Sequence, residues 1–308
     1  MKLHPILASR FYADGGTMFG LVPRTIWQQF LVPDEFNRIP QNMNTWLIET
    51  DDGEFGLLDV GCGNPSWMSD KQRQIAGVDP CWHLQGALRT HGIDMTDIGF
   101  IALTHLHWDH AGAIGRVLDD GGVEHTFPNA DVFICDDEWQ LATSGDPLLF
   151  RAYPSATIAP IEALPENRRH CLAATESIIR PGIRFAHTGG HTGGHCAIVF
   201  DEGSYEICHP EIAILGSTRR AVYAGDVCPS QHHLRLVYHT AYDTYPMQTR
   251  QWKRTHLPLM AEQQDVLLFD HDVESIAATL QAHPQLEITP STRLATMPEA
   301  CAPGNAVC

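Results

Sequence analysis

In Thr104-His105-Leu106-His107-Trp108-Asp109-His110, three imidazoles and one carboxylate occupy the six positions from 105 to 110. Neutral imidazole nitrogens and carboxylate oxygens are the donors that suit zinc and its first-row neighbours. Alternate spacing in an extended segment lets His105 and His107 converge on one ion. Asp109 and His110 fall where the chain turns into Ala111-Gly112, so they can face a second ion. A pair of divalent ions held in this way would lower the pKa of a shared water and supply hydroxide near neutral pH, so no side-chain nucleophile is required.

Further donor residues stand at the ends of other apolar runs. Glycines flank both imidazoles in Gly189-Gly190-His191-Thr192-Gly193-Gly194-His195, where tight turns can present a ring at the tip. Either His191 or His195 can serve as a ligand, with the other a hydrogen-bonded core histidine. Gly225-Asp226 and Asp270-His271-Asp272 add carboxylates and one more imidazole. Asp59, in Leu58-Asp59-Val60-Gly61, reads either as a turn former or as a carboxylate that orients a metal-bound histidine.

The elements that must position these groups follow from the same sequence. Met1 to Ser9 reads as a first strand, and 44–49 with 55–60 as a hairpin around Asp51-Asp52-Gly53. A helix from Asp79-Pro80 to His91-Gly92 places Leu84, Ala87 and Leu88 on one face. The apolar run 98–103 is a buried strand leading into the histidine motif. Strands are expected over 130–135, 183–187, 197–200, 220–224 and 266–269, with helices over 136–142 and 273–280. Strand ends rich in His and Asp converge naturally on one edge of a sheet sandwich. The segment 144–179 is rich in proline and poorly periodic, and is expected to cover the site as an insertion. The domain is expected over 1–290, with 291–308 as a peripheral tail. Met18, Phe19 and Trp27, beside the glycines of 14–23, form either a turn packed on the core or a wall of the substrate pocket.

Composition excludes several classes. The chain of 308 residues has 37 acidic against 20 basic residues and a net charge of -17, which opposes binding to a phosphate backbone, so no nucleic-acid partner is expected. Nine cysteines without C-x-x-C spacing suggest a reduced, cytoplasmic protein. The N-terminus lacks the apolar core of a signal peptide, and no run of about 18 apolar residues exists to span a membrane.

Taken in order along the chain, the 58–61 strand end, the 105–110 motif, Gly190-His191, Gly225-Asp226 and Asp270-His271-Asp272 resemble the metallo-β-lactamase superfamily. The stretches 14–23 and Gly225-Asp226-Val227-Cys228-Pro229-Ser230 are similar to its quorum-quenching lactonase branch, YtnP-like proteins in particular. The resemblance implies an α/β fold, an αββα sandwich with a dinuclear metal site at one edge. Carried onto this chain, it assigns His105, His107 and His191 to the first metal and Asp109, His110 and His271 to the second. Asp226 bridges the two, and Asp59 and His195 support the ligands from behind.

The resemblance further implies two divalent ions per chain, foremost Zn²⁺ with Mn, Fe or Co as alternatives, and a metallohydrolase opening an N-acyl-homoserine lactone or similar ester with a metal-bridging hydroxide. Asp109 and Asp226 are the expected catalytic carboxylates, Asp226 accepting and returning the proton. A phosphotriester hydrolase is the alternative on the same centre, ahead of a glyoxalase-II-type thioesterase and a non-catalytic metal-bearing sensor. A small-molecule ester is the expected partner, and the apolar N-terminal residues are compatible with a homodimer. Many lactonases of this branch place a tyrosine three residues after the bridging aspartate. Here that position is Pro229, with Tyr223, Tyr238, His232 and His233 as the neighbouring substitutes.

Overall fold

The computed structural model describes residues 1–149, 152–175, 177–209, 219–283 and 287–294. Its strands are β1 (Lys2–Asp14), β2 (Arg38–Glu49), β3 (Phe55–Leu58), β4 (Ile98–Ala102), β5 (Gly115–Val117), β6 (Val123–His125), β7 (Asp131–Cys135) and β8 (Arg169–Leu172). The later ones are β9 (Ile178–Arg180), β10 (Ile183–His187), β11 (Cys196–Phe200), β12 (Glu206–Ile207), β13 (Ala221–Tyr223), β14 (Val266–Leu268), β15 (Ala277–His283) and β16 (Glu287–Leu294). One seven-stranded sheet runs β12-β1-β2-β3-β4-β7-β8, a second runs β16-β15-β14-β13-β11-β10-β9, and β5-β6 is a separate hairpin.

The helices are α1 (Gly15–Phe19), α2 (Arg24–Trp27), α3 (Asp70–Ala76), α4 (His83–Thr90), α5 (Trp108–Ala111), α6 (Asp136–Thr143), α7 (Ser155–Glu162) and α8 (Pro246–Gln263). Apolar side chains from the two sheets meet in one continuous core that includes Trp46, Phe100 and Ile101 from the first sheet and Phe185, Phe200 and Tyr223 from the second. α4 lies against β1 through Leu84, Ala87 and Leu88, the face its periodicity dictates, and α8 lies against β15. The result is an αββα sandwich.

Parallel pairing fixes where the chemistry collects. β3 and β4 run parallel in one sheet and β13 and β14 in the other, so each pair ends on the same edge. Asp59 follows β3, the histidine motif follows β4, Asp226 follows β13, and Asp270-His271 follows β14.

Two regions depart from the sequence expectations, and a third, 144–179, lines the cleft over the site while carrying more regular structure than its poor periodicity suggests. Residues 277–280 belong to β15 rather than to a helix over 273–280, and pair antiparallel with β14. Alanine and leucine favour a helix locally, but residues 275–280 are all buried, and the open edge of β14 supplies a ladder that overrides propensity. The segment 144–179 contains α7, the edge strand β8 and the start of β9. The expected tail begins within β16, which pairs with β15 through Leu294, and 295–308 lie outside the described residues.

Candidate metal centre

The loop after β4 is held by a buried carboxylate. Asp59, fully buried and at a positive φ of 46°, accepts from the Thr104 backbone N–H (2.8 Å) and the Thr104 hydroxyl (2.9 Å), and lies 2.9 Å from His110 Nδ1. Orienting one ring nitrogen in this way leaves His110 Nε2 facing inward. His105 is fixed likewise, with Nδ1 3.0 Å from the Thr104 hydroxyl. His271 Nδ1 lies 2.7 Å from the Asn42 carbonyl, and His191 Nδ1 lies 2.9 Å from Asp243 Oδ1.

The free nitrogens then converge. His105, His107, His191 and Asp226 each contribute an atom to a group whose members all lie within 4.8 Å of one another. His110, Asp226, Asp270 and His271 form a second such group, so Asp226 is common to both. Asp226 Oδ2 is 3.0 Å from His191 Nε2 and 4.0 Å from His105 Nε2, whereas Oδ1 is 3.1 Å from His271 Nε2 and 3.6 Å from His110 Nε2. Asp109 Oδ2 approaches from the open side, 3.6 Å from His271 Nε2 and 4.0 Å from His110 Nε2. His195 stands behind, with Nε2 accepting from the Asp226 backbone N–H (3.1 Å) and Nδ1 2.6 Å from the Thr188 hydroxyl. Gly225 makes that contact possible, because at φ +57° an added Cβ would meet His195 Nε2 at 2.7 Å.

The electrostatics fit cations. Burial opposes a charged Asp226, but His191, His271 and His110 outweigh it and hold the carboxyl well below its usual range. Burial likewise opposes charge on His191 and His271, yet nearby carboxylates lift them to about 10 and about 9. His110 is also raised well above its ordinary value against burial, by Asp226, Asp109 and Asp59. His105, His107 and His195 are held well below theirs by burial and by neighbouring imidazoles. Protons and metal ions compete for such nitrogens, and a field that favours the first favours the second. His105 Nε2 and Asp226 Oδ1 are buried and make no hydrogen bond among the described residues. Buried polar atoms without partners are rare, and a coordinated ion satisfies both. The donor set therefore fits divalent metal ions.

Two acids that sequence reasoning left unassigned hold this arrangement. Asp243, in the loop before α8, fixes the His191 ring. Glu138 on α6, fully buried, accepts from the Leu106 backbone N–H (3.0 Å), the Tyr153 hydroxyl (2.9 Å) and the Thr192 hydroxyl. It thereby joins the loop carrying His105 and His107 to the loop carrying His191. The second loop lies directly on α6, since a Cβ on Gly194 would sit 2.1 Å from the Glu138 backbone nitrogen. Asp270 also faces the centre, although only its neighbour His271 was assigned a role from sequence.

An open cleft leads to the centre, reaching His107, Asp109, His191, Asp226 and His271 at its floor. Its walls include Phe11, Trp67, Met68, Trp108 and Leu149. Of the three residues considered for a pocket wall, only Met18 lines this cleft. Phe19 and Trp27 are each 1% exposed and stack on one another at 5.7 Å in a small cluster with Val22 and Ile39. Tyr223 donates to the Asn44 carbonyl, the Tyr238 hydroxyl accepts from Arg235, and His233 is enclosed between Ser230 and the Met18 carbonyl. Tyr12, Tyr242 and Tyr245 line the cleft, and Tyr242, which feels the charges of Asp109 and Asp226, has its hydroxyl 3.2 Å from that of Thr17. Among the described residues, no helix is long and apolar enough to cross a membrane.

Comparison with known proteins places this geometry. A curated N-acyl homoserine lactonase from Bacillus sp is 22% identical over 179 residues, spanning 56% of this chain and 62% of that protein, so the match covers less than two thirds of the relative's length. A solved structure described as a probable metal-dependent hydrolase from Staphylococcus aureus has 27% identity and a TM-score of 0.79, covering 96% of this chain and 97% of that one. AidC, a dizinc quorum-quenching lactonase solved with the product N-hexnoyl-L-homoserine, shares the fold with a TM-score of 0.67 at 17% identity, covering 94% of each chain. The sequence profile of the metallo-beta-lactamase superfamily matches residues 39–209, which hold the histidine motif and His191. With two facing sheets and a His/Asp cluster at their common edge, this chain belongs to that superfamily of metallohydrolases.

Proposed function

We propose that the protein hydrolyses a neutral lactone or related carboxylic ester carrying an apolar arm, of the N-acyl-homoserine lactone kind, at a centre of two divalent cations. The observation that carries this reading is the placement of two overlapping His/Asp groups at the floor of a largely apolar open cleft. The lactonase relative, although distant, is consistent with it.

His105, His107 and His191 would hold one cation, Asp109, His110 and His271 the other, and Asp226 both. Bound there, the cations would activate water near neutral pH and draw charge from the ester carbonyl. Asp226, flanked by His191 and His271, is placed to take the proton of the attacking water and pass it to the departing alkoxide. Tyr242 offers a hydroxyl at the cleft wall that can donate to the ester, in the absence of a tyrosine at position 229. Phe11 and Trp108, with rings 5.5 Å apart, wall the cleft beside His271 and restrict water around the reacting group.

The cleft's charge argues against an anionic thioester. Its arginines, Arg38 and Arg116, are already engaged by Asp34 and Glu124, while Asp14, Asp109, Asp119 and Asp120 also line it. The test is a matched panel on metal-quantified protein: short- and long-chain acyl-homoserine lactones, γ- and δ-lactones, paraoxon and a glutathione thioester. Faster turnover of acyl lactones than of the phosphotriester and thioester supports the reading. Rapid paraoxon turnover with weak lactone turnover would replace it with a phosphotriesterase.

A further inference from the structure

Asp270 has a place in this centre that the seven His/Asp positions around it do not explain. It lies two residues beyond the end of β14 and is fully buried. Its Oδ1 accepts from the His271 backbone N–H at 3.0 Å, a turn contact that an asparagine would make equally well. Its Oδ2 is buried and has no hydrogen-bond partner among the described residues. A carboxylate oxygen of Asp270 lies within 4.8 Å of donor atoms of His110, His271 and Asp226.

An unpartnered carboxylate oxygen in the core is costly unless it meets a positive charge. Two donors sharing one ion, each about 2.1 Å from it, are separated by at most about 4.2 Å, so the observed spacing needs only a small contraction on binding. The charge balance points the same way. Asp109 and Asp226 cancel half the charge of two divalent cations, and a third carboxylate cancels a further quarter in a site shielded from water. Asp109 approaches His110 and His271 from the cleft, with its side chain 14% exposed, whereas Asp270 approaches them from the core.

We infer that Asp270 is a direct ligand of the cation held by His110 and His271, closing its coordination from the core side. This rests on the reading that the cluster holds two cations. A carboxylate there makes the second position more anionic than the first, which has three imidazoles and shares Asp226.

The test compares wild-type protein, Asp270→Asn and His271→Ala by competitive Zn²⁺ titration against a chromophoric chelator, with thermal melting of the metal-free and loaded forms. Asp270→Asn should bind the weaker of two Zn²⁺ ions at least about tenfold less tightly, since even outer partners of a ligand contribute that much. Its metal-free form should melt no lower than wild type, because the amide keeps the turn contact with the His271 N–H and replaces a carboxyl whose ionised form burial and Asp226 disfavour. A merely structural role would lower the melting of both forms. Wild-type affinity for both ions in Asp270→Asn, with one ion lost in His271→Ala, would overturn the inference and leave the two-cation centre standing. Two ions retained by both variants would overturn both readings. Should Asp270→Asn fail to fold, a crystal structure of the Zn²⁺-loaded wild type decides: an Asp270 oxygen at about 2.0–2.2 Å from the metal supports the assignment, and a separation above about 3 Å refutes it.

Discussion

Glu138 provides the sharpest test of how the two ligand-bearing loops are joined. Replacing it with alanine removes the acceptor for three buried donors, the Leu106 N–H, the Tyr153 hydroxyl and the Thr192 hydroxyl. Each donor left unpaired costs about 1–3 kcal/mol, so Glu138→Ala should lose about 3–9 kcal/mol. At about 2 °C per kcal/mol for a chain of this size, the melting temperature should fall by about 6–18 °C. Glu138→Gln differs in kind. Its amide oxygen can keep the two donors that share Oε1, and the Thr192 hydroxyl can rotate to accept from the amide nitrogen. Burial raises the Glu138 pKa against its three donors, so the ionised form costs stability above its unfolded pKa, a cost that glutamine removes. The glutamine variant should therefore melt within about 2 °C of wild type, consistent with a net change near 1 kcal/mol. Melting curves of metal-free wild type and both variants check this. A loss under about 1 kcal/mol in the alanine variant, or equal losses in the two, would refute Glu138 as the tie between the loops.

Three further outcomes follow from the same geometry. Asp243→Ala frees the His191 ring and should weaken metal binding by about 10–100-fold, as read by chelator competition. His191 and His271, raised to about 10 and about 9, stabilise the metal-free protein fully below their unfolded pKa near 6.5 and lose that contribution as pH rises through 9 to 10. Zn²⁺ binding at pH 8 should accordingly release at least about one proton per chain and tighten as pH rises, measured by calorimetry in buffers of different ionisation enthalpy; proton uptake would contradict it. Tyr242→Phe should lower kcat for lactone opening by about tenfold or more while leaving metal content unchanged, and an unaltered kcat would remove Tyr242 from the reaction.

Much of this centre is legible in sequence because its donors are local. His105, His107, Asp109 and His110 follow one strand, and Asp226 and His271 each close another, so runs of apolar residues ending in a donor already place them on one edge. The structure brings those residues together with His191, and shows that His195 contacts the Asp226 backbone. What sequence could not supply is contact between distant segments. Asp243 reaches His191 across 52 positions and Glu138 reaches Thr192 across 54; Asp243 has no pattern around it, and nothing in the acidic run Asp136-Asp137-Glu138 singles out its third member as the buried one. Asp270 did carry a signal, the Asp-His-Asp run at a strand end, but burial and the missing partner of Oδ2 are visible only in three dimensions. The same limit explains Phe19 and Trp27, whose apolar character is equally compatible with core and pocket, and β15, whose alanines take the strand conformation that the edge of β14 imposes.

The most direct test of a two-cation lactone hydrolase is a titration of metal-free protein with Zn²⁺ while opening of a long-chain acyl-homoserine lactone is followed by acid release. Activity that rises to a plateau at two equivalents per chain is the predicted result. Full activity without added metal, or no lactone opening at two bound equivalents, would contradict it.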